Sequence, residues 1–207
     1  MAASLSRTEV LTRITASLTP LKKGLADEAS FKYLIDTTRF ALSQSQCIQM
    51  GHTMENVVKN IVELAKDDGW SHVFIANKTG KKEKDHVLVN NKTGVVVILE
   101  QKNNLNLDTE KCKSTANKLP RLIKEIVECD TFTSILGKPP TSVSACILGS
   151  RYVRSTDIPS NISKKYIGTR ILGMDDLCDL IGIPPIFTTE DQYRAYINDV
   201  MLPAIMC

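Results

Sequence analysis

The chain has 207 residues, 43% hydrophobic and 24% charged, with a formal net charge of +3. These proportions argue against disorder, and the length suits one domain, or one domain with an arm. No apolar run approaches a membrane span, the N-terminal MAASLSRTEVLTRITASL lacks the apolar core of a signal peptide, and so mild a charge permits a nucleic-acid partner without requiring one.

Six cysteines (Cys47, Cys112, Cys129, Cys146, Cys178 and Cys207) show neither CxxC spacing nor a Cys/His cluster. They read as reduced core thiols of an intracellular, cytoplasmic protein with no zinc site.

Residues 4–18 predict a helix with Leu11, Ile14 and Leu18 on one face, ended by Pro20. Residues 28–43 predict a second, carrying Phe31, Leu34, Ile35 and Leu42 at helical intervals. Neither holds a chemical motif. They read as packing on the core, with a dimer arm or a DNA-clasping arm as the functional alternative. After the polar stretch 43–50, Met54, Val57, Val58, Ile61, Leu64 and Ala65 form a helical stripe that Gly69 breaks. Glu55 lies at its edge, where an acid near the helix start also favours the dipole. The lone His52 before it reads as a cap or a surface residue.

Residues 70–76 predict a first strand. Residues 78–84 form a basic turn whose Lys81 and Lys82 suit phosphate contact or simple solvation. Residues 84–102 then read as two strands joined by Asn91-Lys92-Thr93-Gly94, with Gly94 able to take a positive φ. The run 95–99 is apolar on both faces and predicts a buried central strand. Closing this hairpin with Val89 facing Val95 sets Asp85 opposite Leu99, beside Glu100. Val96, Ile98, Glu100 and Lys102 then share a face, and His86 points away from Asp85.

Two carboxylates and an ammonium at the end of an apolar strand are costly to bury unless a cation or a phosphate compensates. Paired carboxylates suit a hard divalent cation such as Mg²⁺. A lysine two residues on can polarise a metal-bound water or neutralise charge on a phosphorane-like transition state. The same residues also read as a salt-bridged strand end.

Beyond Lys102, the amides of Asn103 and Asn104 could read base edges or phosphates, or turn the chain. Asp108 or Thr109 can cap a helix whose apolar face is Leu119, Leu122, Ile123, Ile126 and Val127. Pro120 would kink it or mark a restart. A strand at 143–148 completes a β-α-β crossover with parallel strands. The polar stretch 149–166 carries Arg151, Arg154, Lys164 and Lys165. It reads as a DNA-contact loop, with arginines suited to guanine edges, or as a solvated loop. A strand at 168–172, a helix at 174–181, a break at Ile183-Pro184-Pro185 and a helix at 190–204 finish the chain.

Asp85, fourteen intervening residues, then Glu100-Gln101-Lys102 resembles the PD-(D/E)XK nuclease motif, as found in type II restriction endonucleases, with Lys84 where the proline usually stands. The surrounding order of helix, three-stranded meander, helix and strand is similar to that core. The resemblance covers mainly residues 51–148 and reaches no recognition segment. It implies an α/β fold, a mixed central β-sheet flanked by helices, with an N-terminal helical segment (1–50) packed on a nuclease domain (51–207). It implies Mg²⁺, replaceable by Mn²⁺, bound by Asp85, Glu100 and the backbone carbonyl of Gln101, with Lys102 activating water. Gly51-x-x-x-Glu55 resembles the family's acidic helix position facing the metal, which adds Glu55 to the catalytic and metal set, with Glu63 as its fallback. His52 stands where some viral cap-snatching nucleases of related core carry a histidine ligand. The implied activity is Mg²⁺-dependent hydrolysis of DNA phosphodiesters, most like that of a restriction enzyme acting as a homodimer on double-stranded DNA. Alternatives are a nuclease of the same fold for junctions, repair or RNA, and a non-catalytic nucleic-acid- or protein-binding module.

Overall fold

The computed structural model describes residues 6–16, 44–75, 84–128 and 130–201. The expected helix at 28–43 and the loop lysines Lys81 and Lys82 lie outside the described residues. Helix α1 (Arg7–Ala16) is followed by α2 (Gln44–Leu64), a 3₁₀ turn at Lys66–Asp68, and three antiparallel strands: β1 (Trp70–His72), β2 (His86–Asn90) and β3 (Val95–Lys102). Helix α3 (Thr109–Val127) and a short α4 (Asp130–Leu136) lead into β4 (Ser142–Gly149), parallel to β3. A 3₁₀ turn (Ser155–Asp157) and α5 (Ser160–Ser163) precede β5 (Ile171–Leu172), parallel to β4. Then come α6 (Met174–Ile181), α7 (Glu190–Tyr196) and a π turn at Ile197–Met201. Among the described residues the sheet is five-stranded and mixed, in the order β1-β2-β3-β4-β5.

Alternation along the central strands builds two cores, one on each face. Leu88, Val97, Leu99, Cys146 and Leu148 face α1, α2, α6 and α7 through Ile14, Met54, Val58, Ile61, Leu177 and Tyr193. Val87, Val89, Val96, Ile98 and Ile147 face α3, α4 and the segment beyond β4 through Leu119, Leu122, Ile126, Phe132 and Tyr166. The chain is thus a three-layer α/β arrangement, with Val96 through Leu99 almost wholly buried between the layers. Among the described residues no helix is long and apolar enough to cross a membrane.

Several expectations change. The hairpin closes one residue later than predicted: Val89 pairs with Val96 and His86 with Leu99, which continues to Asp85 opposite Glu100 rather than opposite Leu99. Asn90 causes the shift. Its side-chain oxygen accepts from the amides of Lys92 and Thr93, and its carbonyl accepts from Gly94, which takes φ 78°. Helix α2 begins at Gln44, well before the apolar stripe, and α3 runs unbroken through Pro120. The proline sits on the exposed side of α3, where water can serve the carbonyl left without an N–H. Asp108 is the α3 cap, accepting from the Lys111 amide at 2.8 Å. Val127 leaves the apolar face and is 63% exposed, while Cys112 joins the core. Strands β1 and β5 are shorter than expected, α4 was not anticipated, and the last α-helix gives way to a π turn at Ile197. In α1, Val10 and Ile14 are buried and Leu11 only partly; Leu18 lies outside the described residues. Cys112, Cys146 and Cys178 are free, buried thiols.

Candidate active site

Strands β2 and β3 bring Asp85 and the run Glu100-Gln101-Lys102 together at one end of the sheet. The Gln101 amide donates to Asp85 Oδ2 at 2.8 Å. Glu100 is 6% exposed and each of its oxygens accepts from a different ammonium: Lys102 Nζ at 2.8 Å on Oε1 and Lys118 Nζ at 2.7 Å on Oε2. Lys118 comes from α3. Nothing in the spacing of that helix shows which of its turns crosses β3, so the motif alone does not point to Lys118.

A second tie runs the other way. Lys84, buried beside Asp85, donates to Glu125 Oε2 at 3.2 Å, and Arg121 holds the other oxygen at 2.7 Å. Residues 118 and 125 are two turns apart on one helix face, about 10 Å along the axis. Helix α3 therefore offers an ammonium to Glu100 and a carboxylate to Lys84. Each buried charge meets its opposite, as burial requires.

Electrostatics separates the two carboxylates. Burial pushes the Asp85 carboxyl up, and the charge of Glu100, with a smaller share from Glu55, adds to the push against the Gln101 amide and Lys102. Burial also pushes Glu100 up, but Lys102 and Lys118 outweigh it and hold that carboxyl below its ordinary range. Of the two carboxylates, Asp85 is thus the one whose charged form its surroundings disfavour.

Glu55 reaches this site through its charge, whereas Glu63 pairs with Lys66 at 2.8 Å near the end of α2. His52 lies 3.9 Å from Glu55 and its side chain is 68% exposed. Among the described residues no three His, Cys, Asp or Glu side chains gather into a group that could hold a metal ion. The oxygen donors that could meet a hard cation at this sheet end are the Asp85 and Glu100 carboxylates, the latter now held by two lysines, and the Gln101 carbonyl. The like-charge push on Asp85 is what a cation there would relieve.

On the opposite face, a polar chain crosses three strands. His86 Nε2 lies 2.7 Å from Gln101 Oε1, and His86 Nδ1 lies 3.0 Å from His72 Nε2. A side-chain carbonyl only accepts, so His86 Nε2 carries a proton, and in the neutral ring His86 Nδ1 is then the acceptor toward His72. Gln101 Nε2 continues to Asn103 Oδ1, which also accepts from Ser150 Oγ at 2.6 Å. His86 does point away from Asp85, and it braces the residue between Glu100 and Lys102.

Two basic residues of the segment after β4 are engaged within the fold. Arg154 pairs with Asp179 and lies 3.7 Å from Asp176 and 3.8 Å from Asp175. Lys165 donates to Asn106 Oδ1 and the Leu107 carbonyl. Asn104 Oδ1 accepts from the Asn106 amide, turning the chain. This stretch is a tied strap rather than an open loop: Met174 and Asp175 amides donate to the Tyr152 and Val153 carbonyls. Arg151 is partly buried and Lys164 exposed. No protein-family model, curated protein or solved structure significantly matches the chain.

Proposed function

We propose that this chain is a Mg²⁺-dependent endonuclease of the PD-(D/E)XK type, hydrolysing DNA phosphodiester bonds. The observation that carries the reading is the meeting of Asp85 with Glu100-Gln101-Lys102 on neighbouring antiparallel strands, joined by the Gln101 amide. The succession of α2, β1–β3, α3 and β4 around it supports the reading, because it brings both motif halves to one sheet end.

Asp85, Glu100 and the Gln101 carbonyl would hold the cation. When bound, it would supply Lewis-acid stabilisation of the attacked phosphate and a water of lowered pKa. The side chains do the rest. Glu100 holds two ammoniums at the sheet end, and an ammonium leaving it becomes available to charge developing on the phosphate. The Gln101 amide orients Asp85, and the His86–Gln101 bond fixes the backbone from the other face. Glu55 adds negative charge beside Asp85. Site-specific cleavage of double-stranded DNA by a homodimer is the form this proposal takes, since a two-fold dimer matches a palindromic site.

The test is digestion of a plasmid of known sequence in Mg²⁺, in Mn²⁺ and in EDTA, beside Lys102→Ala. Discrete metal-dependent fragments that the variant fails to make support the proposal. Cleavage that survives Lys102→Ala, or nucleic-acid binding with no cleavage in either metal, overturns it.

A further inference from the structure

Beside Asp85, on the β1 side of the sheet end, lies a cavity of about 270 Å³ that the nuclease chemistry leaves unused. Its walls include Lys59 of α2, His72, Phe74 and Ile75 at and beyond the end of β1, and Asp85 itself. The volume falls just under the drug-sized range of about 300–1,000 Å³, so it suits a fragment of one planar ring system. Phe74 is 65% exposed, so its ring is accessible at the cavity.

We propose that this cavity receives one unstacked nucleobase of the nucleic acid adjoining the scissile phosphate, stacked on Phe74, with Lys59 near its backbone. The proposal rests on the nuclease reading and deepens it by naming what the substrate must present. A base in a fully paired stack cannot enter a lateral cavity, so the nucleotide is either single-stranded or flipped from a duplex. Aromatic stacking accepts every base, because each has a π face. One wall is pre-formed: His72 is tied to His86 at 3.0 Å, and His86 to Gln101 at 2.7 Å. Gln101 also donates to Asp85. The cavity wall and the metal-binding strand are therefore one hydrogen-bonded unit, and a base in the cavity lies beside the carboxylate that would hold the cation.

The experiment measures binding of a fluorescein-labelled twelve-nucleotide single strand by anisotropy in EDTA, where cleavage is silent. It compares the full-length protein with Phe74→Ala, Phe74→Trp and Lys59→Ala. Stacking of about 1–3 kcal/mol per base corresponds to about a five- to hundredfold weaker Kd for Phe74→Ala, with Phe74→Trp restoring binding. A single strand carrying 5-iodouracil should photo-crosslink within residues 72–75. Competition by a fully paired duplex that depends on Phe74 assigns a flipped base, and competition by single strands alone assigns an unpaired one. Equal affinity of Phe74→Ala and the unaltered protein, or crosslinks confined to other segments, overturns the proposal. Its failure is distinct from that of the nuclease reading: plasmid cleavage lost in Lys102→Ala would stand without the pocket, and Phe74-dependent binding would stand without cleavage.

Discussion

Lys118 Nζ donates to Glu100 Oε2 at 2.7 Å across eighteen residues of sequence, on the opposite carboxylate oxygen from Lys102. Glu100 is therefore neutralised twice: by a lysine of its own strand, which the motif announces, and by one from α3, which it does not.

Removing Lys118 leaves a buried carboxylate with half its compensation. Lys118→Met is expected to cost about 1–3 kcal/mol of stability, measured by urea denaturation, with Lys118→Arg close to the unaltered protein. In the cleavage assay Lys118→Met should slow the Mg²⁺-dependent rate by about tenfold, a loss smaller than that of Lys102→Ala. A Lys118→Met protein as stable and as active as the original would show that Lys102 alone governs Glu100.

Asp85 should make the metal-free protein less stable as pH rises. Its carboxyl is held above the ordinary range by burial and by Glu100. Between the ordinary value and the raised one, the native state binds more protons than the unfolded chain, so stability falls through that window. Glu100, held low, acts oppositely: its contribution is present above the ordinary carboxylate range and is lost as pH falls through its lowered value. At neutral pH, Asp85→Asn keeps an acceptor for the Gln101 amide and removes the repelled charge. It is expected to be more stable than the original in EDTA. Mg²⁺ should raise the Tm of the original protein and not that of Asp85→Asn. Equal Mg²⁺ shifts in both would remove Asp85 from the ligand set.

Asp175, in the first turn of α6, holds the segment between α6 and α7. It is fully buried; its Oδ1 accepts from the amides of Ile186 and Phe187 at 3.0 Å each, and its Oδ2 has no hydrogen-bond partner. Asp175→Ala leaves two buried amides unpaired and should cost about 2–5 kcal/mol. Asp175→Asn keeps the acceptor and loses a charge that burial disfavours, and it should fall within about 1 kcal/mol of the original. Thermal melts at neutral pH measure both. A large loss in Asp175→Asn would show that the 3.8 Å contact with Arg154 carries more of the stability than the two amides.

Local chemistry was enough for the central hairpin, because a run of β-branched residues flanked by a glycine-bearing turn has few other folds. The stripe of α2 and the parallel β3–β4 crossover were legible for the same reason of period. The register was not, because it turned on two amides choosing the Asn90 side chain. The basic segment after β4 is read from composition alone, which does not record what its side chains meet in the fold. Arg154 and Lys165 look like a binding surface in sequence, but Asp175, Asp176, Asp179 and Asn106 take up much of their charge and donors.

What the amino-acid order determined by itself is the placing of Asp85, Glu100 and Lys102 at one end of a buried hairpin, since alternation along a strand is a local property. Only the tertiary structure decided that Lys118 shares Glu100, that Glu125 holds Lys84, that His72, His86 and Gln101 form one chain, and that a cavity with an exposed Phe74 opens beside Asp85. Those relationships depend on where one element crosses another, and crossing is set by packing of whole faces, which no short spacing records.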